Sequence, residues 1–155
     1  MDDGAAAADG IAARLRGAVC ARVARGDETE IWTFSFGGEP AVLQVYCPWR
    51  VVAEGRIAIA YGDHGQRFGL PAPVDAAAEC ARLLSGKPVA AVVVRPDTAD
   101  LAITFDGGTR LEAFTDSHSF ESWQVDAAGG FQVVALGGGE VAIWSAREPP
   151  ANAVS

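Results

Sequence analysis

At 155 residues, half of them hydrophobic and 21% charged, the chain has the size and composition of a single soluble globular domain with one core. Its 20 acids against 12 bases leave a net charge of −8, which excludes the basic footprint that nucleic-acid binding needs. The longest apolar runs fall far short of the ~18 residues of a membrane-spanning helix, so no membrane partner is expected either.

The N-terminus opens with the acids Asp2 and Asp3, not with the positive charge and apolar block of a secretory signal, which points to a cytoplasmic protein. After Met1, residues 1–10 contain no apolar side chain larger than Ala, and they are expected as a loose lead-in or the frayed start of a helix. Ile11 and Leu15, four apart, share the face of a helix that Gly17 stops. Val19 to Val23 reads as a strand, and Gly26-Asp27-Glu28 as a turn. Trp32, Phe34 and Phe36 alternate with Thr33 and Ser35 in a half-buried strand. Leu43, Val45 and Cys47 alternate in the next, which Pro48 ends or confines to an edge. Val51 to Val52 and Arg56 to Tyr61 continue the meander.

Gly62 to Pro73 is a long loop without period. A helix follows, capped by Asp75, favoured by Glu79 in its first turn, striped by Ala76, Cys80, Leu83 and Leu84, and stopped by Gly86. Leu101, Ile103 and Phe105 lead into Asp106-Gly107-Gly108, whose Asp-Gly supplies the positive φ of a tight hairpin turn. Leu111 and Ala113 alternate on the far side. Phe120 to Trp144 holds three strands separated by turns at Asp126–Gly130 and Gly137–Gly139, with Phe131 to Leu136 expected as a central strand. Pro149 and Pro150 end the fold, leaving residues 149–155 as a tail.

A repeat runs through this order. Leu15, Gly17, Ala21, Val23, Trp32, Phe34, Phe36 and Gly38 match Leu84, Gly86, Ala90, Val92, Leu101, Ile103, Phe105 and Gly107, each 69 positions later. The expected fold is therefore α+β: an antiparallel meander or partly closed barrel of about ten strands with two helices. It is a single domain over residues 11–148, duplicated as about 11–73 and 74–148. Trp32, Trp123 and Trp144 each lie among apolar same-face neighbours and are expected to be buried.

The second half resembles a family of small uncharacterised bacterial proteins. Phe105-Asp106-Gly107-Gly108, Leu111-Glu112, Phe120-Glu121-Ser122-Trp123, Gly137-Gly138-Gly139 and Ile143-Trp144 carry the likeness. Cys47-Pro48-Trp49-Arg50 is similar to a block in some relatives. Some similar proteins look like immunity proteins, which bind and block a toxin. The resemblance implies no catalytic residues and no cofactor.

No cofactor or metal site emerges from the residues themselves. Cys20, Cys47 and Cys80 are odd in number and widely spaced, so they read as free core thiols. Asp116, Ser117, His118 and Ser119 hold the parts of a Ser-His-Asp triad, but triad members normally come from distant stretches of chain. Trp49 and Arg50 pair an aromatic with an arginine, the residue types of interface hot spots. Asp63 and His64 in the long loop are candidate partner contacts, and Asp63 with Glu54 and Asp116 is expected to ring Trp49 as a polar rim. If Trp123 points inward, strand alternation places Glu121 inward too, as a buried carboxylate that anchors the strand or lines a pocket. The reading is a non-enzymatic binding protein for a basic partner such as a toxin. A small-molecule-binding module, with a pocket between the halves near Glu121 and Trp49, is the alternative.

Overall fold

In the computed structural model, which describes residues 2–38 and 40–145, the chain begins with a helix and not with a loose segment. Helix α1 (Asp3–Leu15) is capped by Asp2, whose carboxylate accepts a hydrogen bond from the Ala5 amide at 2.7 Å. Alanine is the best helix former, and the small side chains of this segment are what allows its close burial. Gly4, Ala7 and Ala8 are buried with Ile11 and Leu15, and a Cβ on Gly4 would stand 3.1 Å from the Val94 carbonyl oxygen. Helix α2 (Ala76–Leu84) is capped by Asp75 as expected, with Ala76, Cys80 and Leu84 buried. Gly17 and Gly86 follow the two helices at φ +85° and +70°, the left-handed conformation that terminates a helix.

Among the described residues the strands are β1 (Cys20–Arg25), β2 (Trp32–Phe36), β3 (Ala41–Val45), β4 (Trp49–Ala53), β5 (Arg56–Ala60), β6 (Val89–Val94), β7 (Leu101–Phe105), β8 (Arg110–Ala113), β9 (Trp123–Ala127), β10 (Phe131–Ala135) and β11 (Val141–Trp144). They form two antiparallel sheets, ordered β1-β2-β3-β9-β10-β11 and β5-β4-β8-β7-β6. The α+β class is as expected; the partly closed barrel is not. After Val45 the chain does not continue beside β3. It passes Cys47-Pro48 and enters the other sheet as β4, where Trp49 pairs with Ala113. The place beside β3 is taken by β9, with Val45 opposite Trp123.

Each sheet thus combines strands from both halves of the chain. The β1/β2 ladder pairs Cys20 with Phe36 and Arg25 with Trp32, with an irregularity between Cys20 and Arg22. The β6/β7 ladder pairs Val89 with Phe105 and Val94 with Leu101, with an irregularity between Val89 and Ala91. From Cys20 to Val89 and from Phe36 to Phe105 the step is 69 residues. The sheets touch along one corner, where Arg16 bridges to Val89 and Val19 to Pro88. α1 lies against β6 and β11, and α2 against β1 and β5, so each helix covers one flank of the sandwich.

The core lies between the sheets. Phe36 of β2 stacks on Phe105 of β7, and Phe34 meets Trp49 at right angles. Trp123 is buried, and its indole donates to the Ala99 carbonyl at 2.8 Å. Trp144 departs from expectation. It is 52% exposed, because β11 is the edge strand and its alternation points Trp144 to the outer face, opposite Gln132. β10 lies inside the sheet, one place from the edge, with Val133 and Val134 buried on opposite faces. The expected chain end at Pro149 and Pro150 and the tail after it lie outside the described residues.

Candidate functional site

The loop after β5 is the part of the surface that the packing of the sandwich does not explain. Its base is fixed by three side chains. Asp63 turns back to accept the Ala60 amide at 2.9 Å. The Nδ1 of His64 accepts the Ala76 amide, in the first turn of α2, at 3.1 Å. The same imidazole stands edge-on to Trp32, centroids 5.4 Å apart. Above the base, Gly65 donates to Val74 and Val74 to Gln66, at 2.8 and 2.7 Å. Arg67 reaches across to the Pro71 carbonyl at 2.8 Å. A loop with its backbone satisfied in this way is a formed structure and not a slack connector.

What it holds up is apolar. Phe68 and Leu70 are 68% and 53% exposed, and Phe68 takes a φ of +48°, a strained value for an aromatic residue. With Ala58, Ile59 and Val74 they line a hollow of about 480 Å³ between β5 and α2. Asp63, Asp75 and Glu79 complete that lining, and no cationic side chain does. The hydrogen bond from Arg82 holds the Glu79 carboxyl below its ordinary range, so it stays ionised in mildly acidic solution. An apolar floor with a rim of carboxylates suits an apolar side chain that arrives with a positive charge.

The residues singled out by the sequence are not gathered here. Only Asp63 lines the hollow, with His64 bracing it from beneath. Trp49 is 1% exposed and cannot present its ring to a partner. Its strand faces the core, where Trp32 and Phe34 enclose it, so both the exposed hot spot and a pocket at Trp49 are corrected. Arg50 lies on the outer face of its sheet, 2.7 Å from Glu112, with its guanidinium 4.8 Å over the Phe114 ring. Arg110 holds the other Glu112 oxygen at 2.9 Å. Burial pushes the Glu112 carboxyl up, but the two guanidiniums outweigh it and the net shift is downward.

Glu54 occupies the β4–β5 turn at φ +54° and lines a different hollow, so it does not ring Trp49 with Asp63. Asp116 is exposed in the connection between β8 and β9. Glu121 is exposed as well, against the expectation of a buried carboxylate. The strand begins only at Trp123, because the Ser117 hydroxyl accepts the amides of Ser119 and Phe120 and curls the chain there. His118 hydrogen-bonds its neighbour Ser119 at 3.1 Å, an exposed contact that does not assemble a triad with Asp116. Glu121 faces a shallow hollow with Ile31, Tyr46 and Phe120, and Trp49 is not among its lining residues.

Among the described residues, no group of three His, Cys, Asp or Glu side chains is placed to hold a metal ion. The three cysteines are free and buried. Burial pushes the Cys20 thiol up to about 11. Burial, then the charge of Asp116, pushes Cys47 up to about 12. Burial raises Cys80 as well. None of the three is an activated nucleophile. Among the described residues no helix is long and apolar enough to cross a membrane.

Sequence reasoning passed over Phe68, Leu70, Val74, Asp75 and Glu79 as a group. Their signal was present: Phe68 and Leu70 are the large apolar residues of a glycine- and proline-rich loop with no periodic partner. The model of a family of unknown function (DUF6188) matches residues 15–145. No curated protein and no solved structure matches the chain.

Proposed function

We propose that this chain, which belongs to the DUF6188 family of unknown function, is a non-enzymatic binding protein that takes a basic protein segment into the acid-rimmed hollow between β5, the 61–75 loop and α2. The observation that carries the reading is the pair Phe68 and Leu70, held exposed by a loop braced by hydrogen bonds on both sides of them, beside three carboxylates. Presenting apolar side chains to water on a braced loop costs stability, and a partner that covers them recovers it. The net charge of −8 acts in the same direction, by speeding encounter with a basic surface. A toxin with a basic working surface is the partner class that fits the likeness to immunity proteins, and the protein would then block it by covering that surface.

The test is a pull-down from the native host, identification of the captured protein, and affinity measurement with purified components. A Phe68→Asp, Leu70→Asp double variant should lose most of the affinity while keeping the wild-type melting temperature. Unchanged affinity in that variant rules out this surface. Turnover of a small substrate that depends on Glu121 would rule out the binding-protein reading altogether.

The fold reading extends in the same way. We infer that the chain is a duplicated helix-plus-meander unit whose two copies have exchanged their final hairpins, β4–β5 and β9–β10. The equal 69-residue steps in the β1/β2 and β6/β7 ladders support it. An experimental structure in which residues 11–61 and 80–130 had different strand orders would exclude it.

A further inference from the structure

On the other side of the Glu79–Arg82 ion pair from the acidic hollow lies a second one, of about 440 Å³, with the opposite character. It forms where the β4–β5 turn, the end of α2 and the β7–β8 turn meet. Arg56, Arg82 and Lys87 line it, with Glu54 the single acid among its lining residues. Lys87 is the only lysine of the chain. In a protein with 20 acids and 12 bases, three cations facing one hollow oppose the general balance.

The three are not equally committed. Arg82 spends its Nε and one terminal nitrogen on Glu79. Arg56 makes no ion pair among the described residues. The ammonium of Lys87 is held by a neutral group: it donates at 3.1 Å to the hydroxyl of Thr109, which is only 4% exposed. A buried hydroxyl that fixes an ammonium without neutralising it leaves two of its protons directed elsewhere and its charge intact. Like charges converging on one concavity repel, and a bound anion relieves that repulsion.

We propose that this hollow is a binding site for a soluble phosphate-bearing small molecule, with Lys87 and Arg56 as its charge partners, Arg82 at its wall, and Thr109 as the residue that positions Lys87. A guanidinium fork and a fixed ammonium match the oxygens of a phosphate group. A hollow of about 440 Å³ falls in the range of small-ligand pockets and leaves room for more than bare phosphate. The site uses none of the charged residues that line the acidic hollow, and the Glu79–Arg82 ion pair forms the wall between the two.

The single lysine supplies the assay. Protein labelled with ¹⁵N-lysine gives one lysine amide resonance, and inorganic pyrophosphate is titrated against it at constant ionic strength. The expected result is a saturable shift, with affinity about tenfold weaker in Arg56→Gln, as loss of one charge-assisted contact predicts. Arg22→Gln, an exposed arginine of β1 that lines neither hollow, should bind as wild type. A second readout, thermal stabilisation by pyrophosphate, should vanish in Lys87→Gln. A shift no larger than sodium chloride produces at the same ionic strength overturns the proposal, as does undiminished affinity in Arg56→Gln. Binding to phosphatidylglycerol vesicles without binding to pyrophosphate also overturns it, by assigning the charge to a lipid surface.

Discussion

Trp32 and Trp49 meet edge to face across the sandwich, their ring centroids 4.9 Å apart and their planes at 74°. Both indole N–H groups are buried without a hydrogen-bond partner in the structure. His64 stands edge-on to Trp32 as well, and Phe34 to Trp49. The pair joins β2 of one sheet to β4 of the other, so its cost in unpaired donors is set against aromatic burial at the centre of the core.

Trp49→Ala should therefore destabilise the fold by about 3–5 kcal/mol, the usual cost of removing a large buried aromatic. Trp49→Phe should cost less, because no indole hydrogen bond is lost. Trp144→Ala, on the exposed edge strand, should stay within about 0.5 kcal/mol of wild type. Urea denaturation midpoints distinguish the three, and equal losses at Trp49 and Trp144 would contradict the burial described.

Glu112 receives Arg50 on one oxygen and Arg110 on the other. Its folded-state pKa is depressed, so its stabilising contribution is present above the ordinary carboxyl range and is lost as pH falls through the folded value. Glu112→Gln should cost about 1–2 kcal/mol at pH 7, since it leaves two neighbouring guanidiniums without their anion. The gap between variant and wild type should close in acid, below pH 4.5, the ordinary glutamate value. Denaturant titrations from pH 7 downward read this, and a gap that does not depend on pH would contradict it.

The thiols give the complementary window. Their folded pKa values are raised, so their contribution is complete below 9.0, the ordinary thiol value, and is lost as pH rises toward the folded values of about 11 for Cys20 and about 12 for Cys47. The native protein at pH 8 should resist a thiol reagent, and all three cysteines should react once it is unfolded. Rapid labelling of any cysteine in the native state would show a breathing motion that the packing does not suggest.

His64 is the tie between the 61–75 loop and α2. His64→Ala should leave the Ala76 amide without its acceptor and cost about 1 kcal/mol, as loss of a helix cap does. His64→Asn, which restores an acceptor on a short side chain, should recover part of that. Hydrogen exchange at Ala76 is the direct readout, and an unchanged rate in His64→Ala would show the contact to be incidental.

Association with a basic partner should slow steeply as salt rises, while dissociation changes little, because rim carboxylates act mainly through long-range steering. Surface-plasmon kinetics between about 50 and 500 mM salt measure both rates. A salt-independent association rate would remove the electrostatic part of the proposal.

The local signals in the sequence were legible wherever backbone geometry decided them. Asp106-Gly107-Gly108 forms the expected turn, with Gly107 and Gly108 at φ +88° and +92°. Asp75 caps α2, and the alternation of Trp32, Phe34 and Phe36 gives β2 its buried face. What alternation cannot carry is the neighbour each strand will have. Trp123 and Trp144 sit in similar local patterns, yet β9 is central and β11 is an edge, so one tryptophan is buried and the other exposed. Glu121 was misplaced because the Ser117 hydroxyl delays the strand, a side-chain contact outside any periodic pattern. The hollow itself was missed because its residues come from β5, a loop and α2, and no one of these is amphipathic toward it.

The crossing of the chain from β3 to β4 has a consequence for synthesis. When residues through Ala60 have left the ribosome, β3 still lacks β9 and β4 still lacks β8, so the nascent chain presents two open edges. Neither can be closed until β8 and β9 have been translated. Two chains growing on one messenger could close each other's edges instead, through β4 of one and β8 of the other, and the product would be an intertwined dimer with every native strand pair intact.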